Sequence, residues 1–267
     1  MIEVKDYIRG ELFEEPQLRL LRFGNAKVDR SWRGEIICSA FSRLYYVKKS
    51  SFYLVMNGQR IDFTEGKWYL VPTNSSYEFG CDGESEHLFF HFALFGRNAS
   101  DIFGNQKKLL SLSDCVDEGH ELAETVQNST AISSLTARST ALAVLLKFIK
   151  KYDINVNDDK YSPCVIKAIE YIKSNLSENL TISEIANGIF VSESTLTKHM
   201  RRELSISVNK YIDDLILSRA AQMIAENELP ISAISEHFGF CDQFYFSRKF
   251  KAKFGITPSK YKKSWNI

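Results

Sequence analysis

Near the C-terminus, amide, hydroxyl and guanidinium side chains recur on the outer faces of one predicted helix. Asp242 stands at an N-cap position, and Phe246 and Phe250, four residues apart, share the inward face of the helix that follows. The remaining faces carry five side chains that could meet a ligand, namely Gln243, Phe244, Ser247, Arg248 and Lys251. Glutamine and arginine pair bidentately with adenine and guanine edges in the major groove, and phenylalanine can contact a thymine methyl group. This set of side chains could therefore read DNA sequence.

A shorter predicted helix precedes this one. Ile231, Ile234 and Phe238 follow the spacing of a buried helical face, and Gly239 then offers the positive φ of a tight turn. Gly255 and Pro258 end the second helix and begin a last short one. Helix, turn and helix in this order are typical of a module that places its second helix in the major groove.

A similar unit is predicted about fifty residues upstream. Thr181 or Ser183 can cap its first helix, and Ser192 caps the second, whose outward side chains are Ser194, Thr197, Lys198 and Arg201. A long helix from about 207 to 227 connects the units, so two recognition helices could reach successive major grooves, roughly 34 Å apart. Three basic residues are predicted to contact phosphates, namely Lys251, Lys253 and Arg219.

The run GFCDQFYFSRKFKAKFGITPSKY at residues 239–261 closely resembles the C-terminal signature of the AraC/XylS family of bacterial transcription regulators. The resemblance implies promoter DNA as a partner, contact with RNA polymerase and a homodimer. It places the base-reading positions on Ser194, Thr197, Lys198, Gln243, Phe244, Ser247 and Arg248. The first unit departs from the family pattern, because Ser205 stands where glycine is usual and His199 where an apolar residue is usual.

The N-terminal half shows a β pattern. Leu18, Leu20 and Phe23 indicate an early strand, and residues 35–95 form short apolar runs separated by turn-forming residues, among them Asn57-Gly58. The first of these runs, IICSAFSRLYYV, covers residues 36–47. Many short strands at this spacing predict a β-sandwich or barrel.

This region resembles the cupin-type ligand-binding domain of AraC-like regulators through Gly58, residues 66–72 (GKWYLVP) and His91-Phe92. Metal-binding cupins have glycine and histidine where this chain has Asn74 and Tyr77, so we expect neither a metal nor another cofactor. A small barrel can hold one small molecule, here one such as a sugar. The predicted wall residues are Trp32, Arg43, Tyr45, Trp68, Tyr77, His87 and Phe89. The alternative is that these aromatic residues only fill the barrel and Arg43 is solvated.

Residues 114–127 and 133–152 change to helical periodicity. The second helix carries an apolar stripe formed by Leu135, Leu142, Leu145, Leu146 and Ile149. Such a stripe could pack on the barrel or on the same helix of a second subunit. Residues 152–161 lose the apolar period and are predicted to be a linker.

Composition is that of a globular protein, with 44% hydrophobic and 25% charged residues among 267. The net charge is +1, and residues 161–267 hold 14 Lys and Arg against 11 Asp and Glu. Five scattered cysteines without a CxxC pair argue against a zinc site and suit the cytoplasm. The longest uncharged apolar block, near residues 88–95, is too short to span a bilayer, so no membrane partner is expected.

The sequence therefore predicts a multi-domain α+β protein. Residues 1–151 would form a cupin-like sensor and dimerisation domain, 152–161 a linker, and 162–267 an all-α DNA-binding domain of the AraC type. The predicted function is that of a ligand-responsive, sequence-specific transcription activator and not an enzyme. The alternatives are a cupin enzyme and a constitutive DNA-binding protein whose barrel is structural.

Overall fold

The computed structural model describes residues 16–36, 38–96, 101–113, 116–125, 130–156, 161–227 and 229–265. In these residues the N-terminal half is built mainly of strands and the C-terminal half of helices, which confirms the α+β prediction. The strands are β1 Gln17–Val28, β2 Arg33–Ile36, β3 Ser42–Lys49, β4 Phe52–Met56, β5 Gln59–Asp62, β6 Trp68–Val71, β7 Tyr77–Cys81, β8 Ser85–Phe95 and β9 Leu110–Leu112.

The strands form two antiparallel sheets. One has the order β1-β8-β3-β6-β9 and the other the order β2-β7-β4-β5. Because successive side chains of a strand point to opposite faces, β3, β4 and β6 each send alternate residues into the space between the sheets. That space is filled by a mainly aromatic cluster that includes Tyr45, Phe52, Phe63, Tyr69 and Tyr77. Asn57 and Gly58 have φ of 52° and 75° and form the predicted turn between β4 and β5.

The run at residues 36–47 is not the single strand that the sequence indicated. β2 ends at Ile36, β3 begins at Ser42, and the chain between them crosses from one sheet to the other. Ser39 explains the interruption, because its backbone N–H donates to the Ser75 carbonyl (2.8 Å) and its carbonyl accepts from the Asn74 N–H (2.6 Å). These bonds go to a turn, so the backbone of Ser39 is not available to a strand ladder. We name residues 38–41 the crossing segment.

Two helices, α1 Val116–Thr125 and α2 Ala131–Lys151, pack on the outer face of the five-stranded sheet. Thr130 caps α2 by accepting from the Ser133 N–H. The buried face of α2 includes Val144, Leu145 and Phe148. In contrast to the expectation from the sequence, α2 is long and apolar enough to cross a bilayer by length and composition, with a mean hydropathy of 1.4.

The C-terminal half consists of α3 Pro163–Ser174, α4 Ile182–Gly188, α5 Glu193–Leu204, α6 Val208–Glu226, α7 Ile231–His237, α8 Gln243–Phe254 and α9 Pro258–Trp265. One hydrophobic cluster joins all seven helices, and α6 runs through it. Ala40 and Phe41 of the crossing segment belong to this cluster and not to the barrel interior. The β half and the helical half therefore share a packed boundary. The domain limits expected from the sequence remain a prediction, and residues 157–160 of the expected linker lie outside the described residues.

Candidate nucleic-acid interface and barrel interior

The second helix-turn-helix unit is formed by α7 and α8. Asp242 caps α8 by accepting the Tyr245 N–H at 2.7 Å, as the sequence predicts. Phe246, Phe250 and Phe254 fix the inner face of α8 in the helical core. Gln243, Phe244, Arg248 and Lys251 are exposed and Ser247 is half-buried, and their spacing places all five along one side of the helix. Phe244 is 80% exposed, so its ring is free to contact a partner.

Two lysines of α8 have a different role. Lys249 donates to Glu178 Oε1 (2.7 Å) and Asp213 Oδ1 (2.8 Å), and these hydrogen bonds outweigh its burial and raise its pKa. Lys253 donates to the carbonyl and carboxylate of Asp214, and burial lowers its pKa. These contacts fasten α8 to α6 and to the loop between α3 and α4.

Lys253, one of the predicted phosphate contacts, is used inside the protein, whereas Arg219 stays exposed. The ammonium group of Lys253 also donates to Ser218 Oγ at 3.1 Å, so it is directed into the α6–α8 contact and away from solvent. Arg219 lies 3.4 Å from Gln222 Oε1 on its own helix. Helical spacing could not reveal the partners of Lys253, because they lie 35 to 39 positions earlier in the chain. Lys251 remains exposed, as a phosphate contact requires.

The first unit is formed by α4 and α5. Thr181 and Glu184 form a capping box at α4, and Ser192 caps α5 through the Thr195 N–H. The outward side of α5 carries Ser194, Thr197, Lys198 and Arg201, of which only Thr197 is half-buried. The two recognition helices are thus presented by equivalent caps and equivalent inner faces.

Glu203 fixes the end of α5 to the start of α3. Its carboxylate accepts from the Ser162 N–H at 2.7 Å and from Arg202 at 2.5 Å, and His199 Nδ1 lies 2.9 Å away. Although burial alone would raise it, these hydrogen bonds lower the pKa of Glu203 to about 2. His199 therefore has a polar partner where the family pattern has an apolar residue.

Both recognition helices end in the left-handed conformation. The C-cap of α5 is Ser205 (φ 59°), and that of α8 is Gly255 (φ 75°). The backbone geometry is the same, so the departure at Ser205 changes the residue and not the turn. A left-handed serine costs roughly 1 kcal/mol more than glycine.

Between the sheets, Arg43 is the centre of a buried polar network. Its side chain donates to Ser39 Oγ and to the Tyr77 hydroxyl, and Tyr45 is hydrogen-bonded to Tyr77 as well. The guanidinium carbon lies 4.3 Å from the ring centroid of Phe41. Burial raises the pKa of both tyrosines, which stay neutral. Arg43 is only 8% exposed, which contradicts the alternative of a solvated arginine.

His87 lies further along the same interior. Its ring is 4.7 Å from that of Phe52, 5.4 Å from Tyr45 and 5.9 Å from Trp32. Burial lowers the pKa of His87 to about 4, so the imidazole is neutral at pH 7. Its buried Nδ1 has no hydrogen-bond partner among the described residues. An unsatisfied buried polar atom is unusual and often marks a functional site.

The structure brings together six of the seven predicted wall residues. Trp32, Tyr45, Tyr77 and Phe89 join Arg43 and His87 on the inner side of the sheets. Trp68 lies on the outer side, where it packs against Tyr46 and Phe90 below the helices. Across the described residues, no group of three or more His, Cys, Asp and Glu side chains is placed to hold a metal ion.

The barrel meets the helical half through contacts that the sequence did not indicate. Arg19 of β1 forms a salt bridge with Glu226 and lies 3.3 Å from Gln222 Oε1, both on α6. Gln222 is buried inside an otherwise apolar face of α6, and such a residue is a signal that could have suggested a polar partner. Cys38 of the crossing segment lies near Lys253 of α8, and burial raises the pKa of its thiol.

Two helix-turn-helix units on one connecting helix, carried beside a small β-barrel, define a DNA-binding transcription regulator. A family model described as a helix-turn-helix domain matches residues 172–264. This match and the relatives described next support the resemblance to AraC/XylS-type regulators.

The similarity extends over most of the chain. It is 23% identical to the Msm operon regulatory protein of Streptococcus mutans over 258 residues, which are 90% of this chain and 91% of that protein. It is 32% identical to the arabinose operon regulatory protein of Escherichia coli over 111 residues, which cover 40% of this chain and 38% of that protein. The solved structure of ToxT from Vibrio cholerae with a bound unsaturated fatty acid aligns with a TM-score of 0.57 at 16% identity. That alignment covers 90% of this chain and 94% of that one, so the two proteins share a fold.

Proposed function

We propose that this protein is a ligand-responsive, sequence-specific regulator of transcription that acts in the cytoplasm as a homodimer. The observation that carries the proposal is the paired presentation of two recognition helices, each with a capped start, an apolar inner face and an exposed polar side. Ser194, Thr197, Lys198, Gln243, Phe244, Ser247 and Arg248 would read bases, and Arg201 and Lys251 would contact phosphates.

The barrel would be the sensor. The polar groups inside it are few and buried in aromatic surroundings, which is the composition expected of a small-molecule site. Relatives regulate the arabinose and lactose operons, and the ToxT structure holds a fatty acid. Trp32, Arg43, Tyr45, Tyr77, His87 and Phe89 would line the site, whereas Trp68 would support it from the outer side. A sugar-like effector remains one candidate.

Activation, through contact with RNA polymerase, is the expected outcome of binding. One relative is named a transcription activator of the lactose operon, and it is 22% identical over 88% of this chain. A reporter gene placed downstream of a DNA site that the protein binds would show whether the protein activates or represses transcription. Transcription should rise with the protein present, and a fall would reassign it as a repressor.

Dimerisation would use the outer side of α2. Ile132, Leu135 and Leu146 are 76%, 67% and 45% exposed, which is unusual for three large apolar residues of one helix. Leu135→Glu should convert a dimer into a monomer in analytical ultracentrifugation. Ser134→Glu adds the same charge at an exposed neighbouring position and should leave the dimer intact. A dimer that survives Leu135→Glu would place the interface elsewhere.

The decisive experiment is selection of DNA from a random pool at a fixed salt concentration, because phosphate contacts make affinity salt-dependent. The wild type should enrich a site about two helical turns long. Arg248→Ala should relax preference at one position, whereas Lys263→Ala removes the same charge from an exposed position of α9 and should change nothing. If the wild type enriches no sequence with or without candidate effectors, the regulator proposal fails.

Two other functions compete with this proposal. A constitutive DNA-binding protein would select the same DNA but show no change in melting temperature with any small molecule. A cupin enzyme would turn over a substrate and would select no DNA. The hydrogen-bond donors around Arg43 outnumber the acceptors, which favours a barrel that binds a ligand over one with only a structural role.

A further inference from the structure

We propose that the barrel site around Arg43 binds the carboxylate of a small organic acid. The inference rests on the proposed role of the barrel as the sensor, and it names the chemical class of the effector. It starts from the charge of Arg43, which is permanently positive and almost completely buried.

Arg43 has no carboxylate partner among the residues that the structure describes. Its hydrogen bonds go to the neutral oxygens of Ser39 and Tyr77, and its planar face lies 4.3 Å from the centroid of Phe41. A guanidinium group offers five N–H donors in a fork that matches a carboxylate. A buried charge without a counter-charge is costly, and a bound anion would remove that cost.

Among the described residues, the polar groups that neighbour Arg43 add donors or stay neutral, and none of them adds negative charge. Tyr45 and Tyr77 keep their phenolic protons, because burial raises the pKa of both. His91 stays neutral, since burial, then the charges of Arg43 and Arg22, lower its pKa well below the usual value. Arg22 is exposed and lies 5.8 Å from the ring centroid of Phe89, which adds positive potential at the edge of the site. An acceptor-rich, negatively charged group therefore fits this interior better than a neutral sugar.

His87 indicates where the rest of the ligand would lie. His87 is 2% exposed, its Nδ1 has no hydrogen-bond partner among the described residues, and its ring lies among those of Trp32, Tyr45 and Phe52. A ligand anchored at Arg43 could extend along Tyr45 to this imidazole and place a hydroxyl or carbonyl group there. Sugar acids and fatty acids share the anchoring carboxylate, and they differ in the body that would lie among these rings.

The first test needs no ligand. Arg43→Met keeps an unbranched apolar side chain and removes the buried charge, so it should raise the melting temperature of the unliganded protein by a few degrees. Arg43→Lys keeps the charge and should not raise it. If Arg43→Met lowers the melting temperature, Arg43 holds the barrel together and the proposal fails.

The second test compares matched acids and neutral molecules by thermal shift and calorimetry, without DNA. The probes are D-glucuronate against D-glucose and octanoate against 1-octanol. In one pair or both, the acid should bind roughly ten- to a hundredfold more tightly than its neutral partner, and Arg43→Met should abolish this difference. Equal responses within both pairs, or responses that survive Arg43→Met, would overturn the proposal. Because no DNA is present, these outcomes are independent of the DNA selection that tests the proposed function.

Discussion

Phe41→Ala should loosen the barrel from the helical half without unfolding either. Phe41 is 1% exposed, and it belongs to the cluster of α3 to α9 although it lies in the crossing segment. A buried aromatic side chain contributes roughly 3–5 kcal/mol when it is compared with alanine. One side of the ring faces Arg43 and His91 within the barrel, so we assign about half of that, roughly 2 kcal/mol, to docking. The docking equilibrium should therefore shift by about thirtyfold toward the undocked arrangement.

Hydrogen–deuterium exchange on the full chain would measure this shift. In Phe41→Ala, the amides of residues 38–41 and of the C-terminal half of α6 should exchange faster, while β8 and α5 keep their protection. Phe103→Ala is the control, because Phe103 is also fully buried but packs between the barrel and its own helices. Small-angle scattering should show expansion for Phe41→Ala only. If the two variants give the same exchange pattern, Phe41 acts through global stability and the reasoning is refuted.

Three further predictions concern stability. Burial raises the pKa of Asp101 from 3.8 to about 7. The protonated carboxyl therefore contributes fully to the free energy of unfolding below pH 3.8, and this contribution is lost as pH rises through 7. In urea unfolding, the wild type should lose roughly 2 kcal/mol of stability between pH 5.5 and 8, and Asp101→Asn should remove this loss. Ser205→Gly should stabilise by about 1 kcal/mol and Gly255→Ser should destabilise by a similar amount, because both positions are left-handed. If both variants shifted the melting temperature in the same direction, this prediction would be contradicted. Lys249→Met should destabilise the protein by about 1–2 kcal/mol, since it leaves the half-buried carboxylates of Glu178 and Asp213 without this partner. An unchanged denaturant midpoint would show that solvent screening cancels the contribution of these two ion pairs.

The helix-turn-helix units could be predicted because their signals are local. Ser192 and Asp242 each bond to a backbone N–H three residues later, so the cap and the helix it starts are visible together in the sequence. Gly255 likewise occupies the left-handed position directly after the helix that it ends. Both recognition faces follow from the period of the helix once its start and its inner face are known.

The barrel was harder to predict because strand faces depend on register. Trp68 and Tyr69 are neighbours in a run that is buried on both sides, so hydrophobicity alone cannot say which of them faces the interior. Pairing decides the question, because Tyr69 lies opposite Tyr45 and Trp68 lies opposite Tyr46. Trp68 therefore lies with Tyr46 on the outer side of the five-stranded sheet, whereas the other predicted wall residues lie on the inner side.

The boundary between the two halves depends on contacts between residues far apart in the chain. Arg19 meets Glu226 across 207 positions, and no sequence period relates them. The crossing segment looks like part of a strand because it is apolar, yet the backbone of Ser39 bonds to residues 74 and 75. Such pairs become visible only when the chain is folded, and they are the contacts through which the sensor would act.

These contacts also suggest which DNA-binding unit receives the signal first. Arg19 reaches the C-terminal end of α6, which leads into α7, and Cys38 lies near Lys253 of α8, so both contacts lie on the side of the second unit. The first unit is tied to α3 instead, through Glu203 and Ser162. A change in the barrel can shift an equilibrium only through contacts that differ between its states. We therefore expect Phe41→Ala to change affinity less for operator variants altered in the part read by α8 than for those altered in the part read by α5. Equal changes for both parts, measured by fluorescence anisotropy, would mean that α6 moves the two units as one rigid body.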